Sequence, residues 1–541
     1  MRRLVTIFFA LLFPAMVLAQ SAADISQEVD DDRGFLTRLL ERNLSGTGRQ
    51  VTIDGFQGAL SSRATFDRMT IADTEGVWLT LRDGAIQWNR AALLRGRVSI
   101  AELSAAEILL PRLPAAGGDA PKAEATEFAL PELPVSINIE QIDAERVELG
   151  APVIGVEAAI SLSGSMSLAG GEGDVDLTID RLDGPRGEFV LNAGYANETK
   201  VLRLNLSLDE AADGLLVNLV DLYDKPSVSA QITGEGAVQD FTADISLATN
   251  GQPRVTGQAS ANAAPGEDGS PGTAFRLELG GDVATLLPPE DRTFFGQDTQ
   301  LLARGWRGED GRINLPELKV DTEALSVAGS MATNAQSAPQ NLDLQILLGR
   351  DANATQLPVA LPGADNATVE SGKLDLHFDA AEGQGWTLTG RVGELDQGDM
   401  RIGALTLDGS GEIAIENGAL AGVTGQIDYG GRQLGFDDPA MAQAVGEQVE
   451  GRANFDFTPG HAFEIQELTL DGTDYGLSGY FLLSGLSGGF LLSVDVDAAY
   501  DDLGRLSALA GRDITGAADL SASGYYRVLN RSFDLEAEVT G

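Results

Sequence analysis

Two histidines, His377 and His461, are the only imidazoles in 541 residues, and there is no cysteine. That composition excludes disulfides, thiolate zinc sites, iron–sulfur clusters and a cysteine nucleophile, and leaves almost no room for a multi-histidine metal centre. His377 stands between Leu376 and Phe378, so strand alternation puts it on a polar face as a solvated side chain rather than a catalytic one. His461 follows Pro459-Gly460 and is expected in a turn. One Gly-x-Ser-x-Gly match, Gly485-Leu486-Ser487-Gly488-Gly489, lies between two strand-like runs instead of before a helix. No histidine follows it to complete a hydrolase order, so it reads as a hairpin turn. A Walker loop and a dinucleotide fingerprint in a βα setting are both missing.

Carboxylates are the abundant chemistry, with 81 Asp and Glu against 37 Lys and Arg and a formal net charge of -44. So many acids make chance pairs of the glycosidase kind inevitable, and no pair is singled out. Asp495-Val496-Asp497 and Asp501-Asp502 offer calcium-type oxygens but lack the glycine-rich nonapeptide repeat, so solvated strand edges are expected there. The field of such a chain repels phosphate backbones, which argues against a nucleic-acid partner, and disfavours flat adsorption onto anionic lipid heads. No catalytic residue, metal site or cofactor is expected. The chain reads as a non-enzyme.

The elements come next. Met1-Arg2-Arg3 followed by the apolar run Leu4 to Ala19 has the form of a secretory address, and Val17-Leu18-Ala19 before Gln20 resembles a cleavage site. As a helix the run reaches about 24 Å against a hydrocarbon core of ~30 Å, so a cleaved signal peptide and an uncleaved anchor both stay open. Either way the arginines remain cytoplasmic and everything after Gln20 lies outside the inner membrane. Residues 1–23 form this segment. From Asp24 to Leu44 the spacing predicts a helix, ended by Gly46 and Gly48, with Asp30-Asp31-Asp32 on its solvated face.

From Val51 the hydrophobic period shortens to 2. Val77, Leu79 and Leu81 alternate with Trp78, Thr80 and Arg82, while Asn89 to Leu94 suggests a short helical turn. Residues 24–113 form one module, and 114–127 is a low-complexity linker separating it from the rest. From 128 to 541, alternating runs dominate: Phe275-Leu277-Leu279, Leu342-Leu344-Ile346, Leu374-Leu376-Phe378, Leu405-Leu407, Leu468-Leu470, Val494-Val496 and Phe533-Leu535. Asn417-Gly418 and Asp471-Gly472 suit tight hairpins. Short helical excursions recur at Gly214 to Leu222, Val283 to Phe295, Pro439 to Val449 and Leu503 to Ala510, the first and last intervals near 70 residues, as in a repeat array. Ala261 to Thr273, with glycines three apart, reads as a flexible loop. Aromatic residues make up only 6%, which suits a long thin sheet with one aliphatic face better than a compact sandwich. Periodicity alone also allows an ordinary core sealed by a second sheet.

Gly34 to Leu113 resembles the start of the TamB family, the inner-membrane subunits of the translocation and assembly module within the AsmA-like group. The resemblance follows an order: Phe35-Leu36, Val51-Thr52-Ile53, Gly55-Phe56, Met69-Thr70-Ile71 before Asp73, Gly76-Val77-Trp78-Leu79 leading to Trp88, and Leu93-Leu94-Arg95-Gly96-Arg97-Val98 before Ile108 to Leu110 and Pro111. Beyond Glu127 it is architectural. The resemblance implies a mainly β chain: an elongated, repeat-built antiparallel β-groove, taco-like, with an amino-terminal hydrophobic helix. It implies a periplasmic bridge resembling bridge-like lipid transfer proteins, with phospholipid acyl chains as cargo, an inner-membrane attachment through the amino-terminal segment, and a TamA-like outer-membrane barrel as partner. TamB proteins are usually longer and end in a domain that meets the barrel. This chain stops at Glu538-Val539-Thr540-Gly541, which reads as truncation or a short relative and leaves barrel docking unsupported for this polypeptide. The expected groove lining is Leu342, Leu344, Ile346, Leu374, Leu376, Phe378, Leu405, Leu407, Leu468, Leu470, Val494 and Val496. The expected function is phospholipid transport between the membranes and outer-membrane protein assembly. The alternatives are a periplasmic scaffold or adhesin-like β-repeat binding protein and, further off, a β-solenoid acting on polysaccharide.

Overall fold

The computed structural model describes residues 50–58, 63–89, 92, 97–114, 130, 136–364, 366–484, 491–527 and 532–540. The amino-terminal address, the expected helix 24–44, most of the turn at 89–94, most of the 114–127 linker and the Ser487 motif lie outside these residues. Among the described residues no helix is long and apolar enough to cross a membrane. The chain is mainly β and divides into two compact units, one to Ala263 and one from Ala264.

The first unit opens with the strands Gln50–Asp54, Arg63–Asp73, Gly76–Trp88 and Arg97–Leu110, each antiparallel to the next. Strand Ser136–Leu149 then lies parallel to Arg97–Leu110, with Val98 beside Ile137 and Ile100 beside Ile139. A parallel partner must start from the same end, so the chain needs a crossover of a dozen or more residues. Strands on the two sides of the low-complexity stretch share one core, with Ile108 and Leu110 in the same buried cluster as Val147 and Leu149. Ile100, Ile139 and Val147 have 0% of their surface exposed, as does Val153 of the short helix Ala151–Ile154. From Ser136–Leu149 to Gln252–Ala263 every neighbouring pair is antiparallel and in chain order.

The alternation expected at Val77 to Arg82 fails at its first residues. Ile71 faces Leu79 but Ala72 faces Val77, which leaves Trp78 as the extra residue of a β-bulge. A bulge re-aims side chains. Trp78 turns into the core while Val77 is left exposed, and Thr80 is buried along with Leu79.

The second unit is an antiparallel sheet running from Gly272–Gly281 to Ser532–Thr540, strand after strand. Asn417 and Gly418, both at positive φ, make the expected hairpin turn between Met400–Glu416 and Ala419–Phe436. The second expected turn moves by two residues. Asp471 and Gly472 end a strand, and the chain reverses at Thr473-Asp474, with Asp474 at φ 65°. Gly472 is required because the Tyr475 ring lies over it. The segment expected as a flexible loop is tied down. Trp306 Nε1 donates to the Ala264 carbonyl at 2.8 Å, and Arg312 reaches Asp268 and Ser270, both at 2.8 Å.

Among the described residues, helical excursions from the strand array begin at Ala151, Leu215, Ala284, Arg350, Pro439 and Leu503, two more than the periodicity indicated. Between successive excursions the chain makes four long strands. Four antiparallel strands return the chain to the end from which it left, so the excursions of a unit gather along one rim of its sheet. In the second unit two of them touch, Arg505 Nη1 donating to the Gln443 carbonyl at 3.3 Å, and Phe294 of another packs with Val359 and Val369 of the segment that follows Arg350–Ala352.

Candidate functional site

Register decides which side chains share a face, because directly paired residues project to the same side. In the second unit Ile346 pairs with Leu374, then the row continues through Gly390, Leu407, Tyr429 and Gly451 to Leu470. One step along, Leu344, Leu376, Leu388, Gly409, Ile427, Ala453, Leu468, Gly479 and Val496 form a second row. A third runs from Leu342 through Phe378, Trp386 and Phe455 to Val494. Leu405 pairs with Val392 in a row on the excursion side of these three. All twelve residues singled out from the sequence therefore lie on one face.

Their burial distinguishes this face from an interior. Eleven of the twelve are half-buried and only Phe378 is fully enclosed, at 1% exposure. Side chains in a sealed core are covered from above as well as by their neighbours. Here the neighbours in each row cover one another and most of the top stays open.

Two pieces of chain roof the edges of this face. Along the excursion rim, Leu357, Val359 and Leu361 of the segment 350–370 pack with Phe294, Leu325, Leu348 and Val392. At the opposite rim the hairpin Met400–Glu416 and Ala419–Phe436 outruns both neighbouring strands, whose pairing ends at Glu412 and Val423. A bulge at Ala421 bends its tip. The tip then reaches the turn between Leu325–Thr333 and Pro339–Gly349, where Asn334 Nδ2 donates to the Gly418 carbonyl at 2.8 Å. To make that contact it leans across the 380–384 turn. Beneath it Ile413 is buried with Phe378 and Trp386, and Ile415, Leu420 and Leu342 pack against them. This is why Phe378, expected in the open lining, is enclosed.

Aromatic rings sit where glycine leaves room. The Trp386 indole lies over Gly411 and Gly425, and its Nε1 donates to the Thr424 carbonyl at 3.1 Å. A Cβ at Gly425 would stand 2.3 Å from the indole, so alanine there would expel the ring. Tyr429 stretches across Gly451 to donate its hydroxyl to the Thr469 carbonyl at 2.7 Å. Burial, and then the Asp471 carboxylate, push the Tyr429 phenol above its usual range.

The opposite face is polar and exposed. Lys373 pairs with Asp375 at 2.8 Å and Arg452 with Asp428 at 2.6 Å, while Asp375 is held below the usual carboxylate range first by the Lys373 hydrogen bond and then by Gln345. Exposed pairs of this kind add little stability but keep the face wet. His377 stands here, 3.7 Å from Asp343 and 3.9 Å from Glu382. His461 closes a turn by donating its backbone N–H to Thr458. Asp495 and Asp497 are exposed opposite Ser523 and Ser521, and Asp502 accepts from the Gly504 N–H at 2.8 Å. Among the described residues no group of three or more acidic or histidine side chains converges as a metal site.

Sequence reading missed the leaning hairpin, Trp386 and Tyr429. One signal was present: the stretch around Asn417-Gly418 holds the longest strand pair among the described residues, and glycines at 409, 411 and 425 leave room for rings. The chain matches no protein-family profile, no curated protein and no solved structure.

Proposed function

We propose that the aliphatic face of the second unit is a trough along which phospholipid acyl chains lie while their heads stay in water. One observation carries this reading: half-exposed rows of Leu, Ile and Val, interspersed with glycine, continue from strand to strand instead of closing into a cavity. Each buried CH₂ of an acyl chain gains ~0.8 kcal/mol, so a continuous apolar surface lets a lipid leave a bilayer without full exposure to water. The process needs no nucleophile or metal. The amino-terminal resemblance to the TamB family supports the same reading. It extends it to an exported chain attached to the inner membrane, serving outer-membrane assembly and, where a carboxy-terminal domain is present, meeting a TamA-like barrel.

Lipid extraction and mass spectrometry of the purified chain test the cargo. Phospholipid at about one or more molecules per chain is expected, and wild type that never carries lipid sinks the reading. Replacing Leu376 by Asp should keep the sheet folded and abolish photo-crosslinks to lipid beyond that point, while Thr406→Asp on the polar face should leave them intact. A reporter fused after Ala23 that stays cytoplasmic would overturn export.

A further inference from the structure

The two roofs lie over the same strands. On Pro339–Gly349 the segment 350–370 covers Leu348 at one end and the leaning hairpin covers Leu342 at the other, leaving Leu344 and Ile346 between them. On the next two strands Val392 is covered at one rim and Phe378 and Trp386 are enclosed at the other; Leu374, Leu376 and Leu388 lie between them half-exposed, Leu376 and Leu388 with one flank against the Phe378–Trp386 cluster. Inward-facing residues are two apart, so adjacent rows are separated by roughly 6.6 Å and the two open rows offer roughly 13 Å of width.

We propose that this constriction sets which lipids the trough takes: those whose acyl chains fit side by side on two rows pass, and four-chain lipids do not. The inference rests on the acyl-chain reading above. The hairpin is the adjustable wall. It is anchored by a bulged strand pair on one side and by the Asn334–Gly418 hydrogen bond at its tip, the contact that stops it swinging away from Phe378 and Trp386. Gln336 lies against Gly418 in the same turn, so the tip is seated between two side chains of one loop.

The absence of cysteine makes the test clean, since an introduced pair is unique in the chain. The full chain is loaded with either a two-chain phosphatidylglycerol or a four-chain cardiolipin, and bound lipid per chain is counted by mass spectrometry. Wild type should hold the two-chain probe at least tenfold better. Asn334→Ala should raise cardiolipin uptake several-fold with circular dichroism unchanged, and a Gln336→Cys/Asn417→Cys pair joined by a short bis-maleimide should keep it excluded. Equal retention of both probes by wild type, or a folded Asn334→Ala chain with an unchanged ratio, overturns the constriction and leaves the trough standing. Retention of neither probe overturns the trough and the constriction with it.

Discussion

The opening strands, Gln50 to Arg181, and the strands of the second unit are written in the same alternating pattern, yet they finish with different interiors. In the first, Val51, Met69, Leu79, Ile108, Val147, Val153 and Leu162 belong to one cluster of buried side chains. In the second, Leu344, Leu376, Leu407 and Val496 occupy equivalent inward positions and remain partly open. Two features account for the contrast. A parallel strand continues the first sheet, and a short helix with Val153 and the non-strand residues Phe56 and Leu113 packs extra aliphatic and aromatic surface onto its cluster. The second alternates large residues with glycine, as at Gly390 and Gly409, and its helical excursions stay at the rim. Alternation specifies a face. Whether the face becomes a core depends on what else the chain can lay on it.

Charge insertion separates the two regions most strongly. Ile139→Asp places a carboxylate where no surface is exposed and should cost more than about 3 kcal/mol, enough to unfold the first unit. Leu376→Asp should cost about 1 kcal/mol, because its carboxylate can reach water. Urea midpoints for the two variants measure the gap, and equal losses would break the comparison. Truncation gives a smaller version of the same test. Ile139→Ala should cost about 2–5 kcal/mol, and Leu344→Ala about 1 kcal/mol, since a half-open site leaves no sealed cavity. Releasing the leaning hairpin with Asn334→Ala removes the bond to Gly418 and the two that Asn334 Oδ1 accepts from the Gln336 and Ala338 N–H groups, each worth about 1 kcal/mol. It should raise amide exchange at Ile413 to Val423 while the first unit keeps its protection.

The smallest effect is in the 264–271 loop. The Asp268 carboxyl is held well below the usual carboxylate range, first by the Ser270 hydroxyl and then by Arg312. A carboxylate whose folded pKa is depressed lends stability above its unfolded pKa and loses it as pH falls through the folded value. The loop contacts to Trp306 and Arg312 should therefore persist at pH 4 and loosen only in stronger acid. An NMR titration of Asp268 checks this, and a midpoint at the ordinary Asp value would contradict it.

Much of the second unit was legible because its residues respond to local rules. Period-2 spacing identified the strands holding Leu342 to Val496, and Asn417-Gly418 identified a hairpin by its tolerance of positive φ. Four excursions were placed correctly. Two of the misses involve partners distant in sequence. Trp78 enters the core because a bulge forms against the Arg63–Asp73 strand, which alternation within its own strand cannot reveal. The turn at Thr473-Asp474 was displaced because Gly472 serves the Tyr475 ring rather than the turn. The 350–352 excursion and the roof that follows it carry no strong helical period. The contact between Asn334 and Gly418 spans 84 residues and depends on how far one hairpin overshoots its neighbours.

The count of four strands between excursions has a bearing on how such a chain changes length. A block of four strands and one excursion begins and ends at the same rim, so a copy can be spliced in or cut out without reversing the direction of any strand downstream. Neighbouring strands lie about 4.8 Å apart, so each block lengthens the sheet in a step of roughly 19 Å. Losing a single strand would invert every later strand and throw the excursions to the opposite margin. Relatives of this architecture should accordingly differ in size by whole blocks, as a chain is lengthened by links.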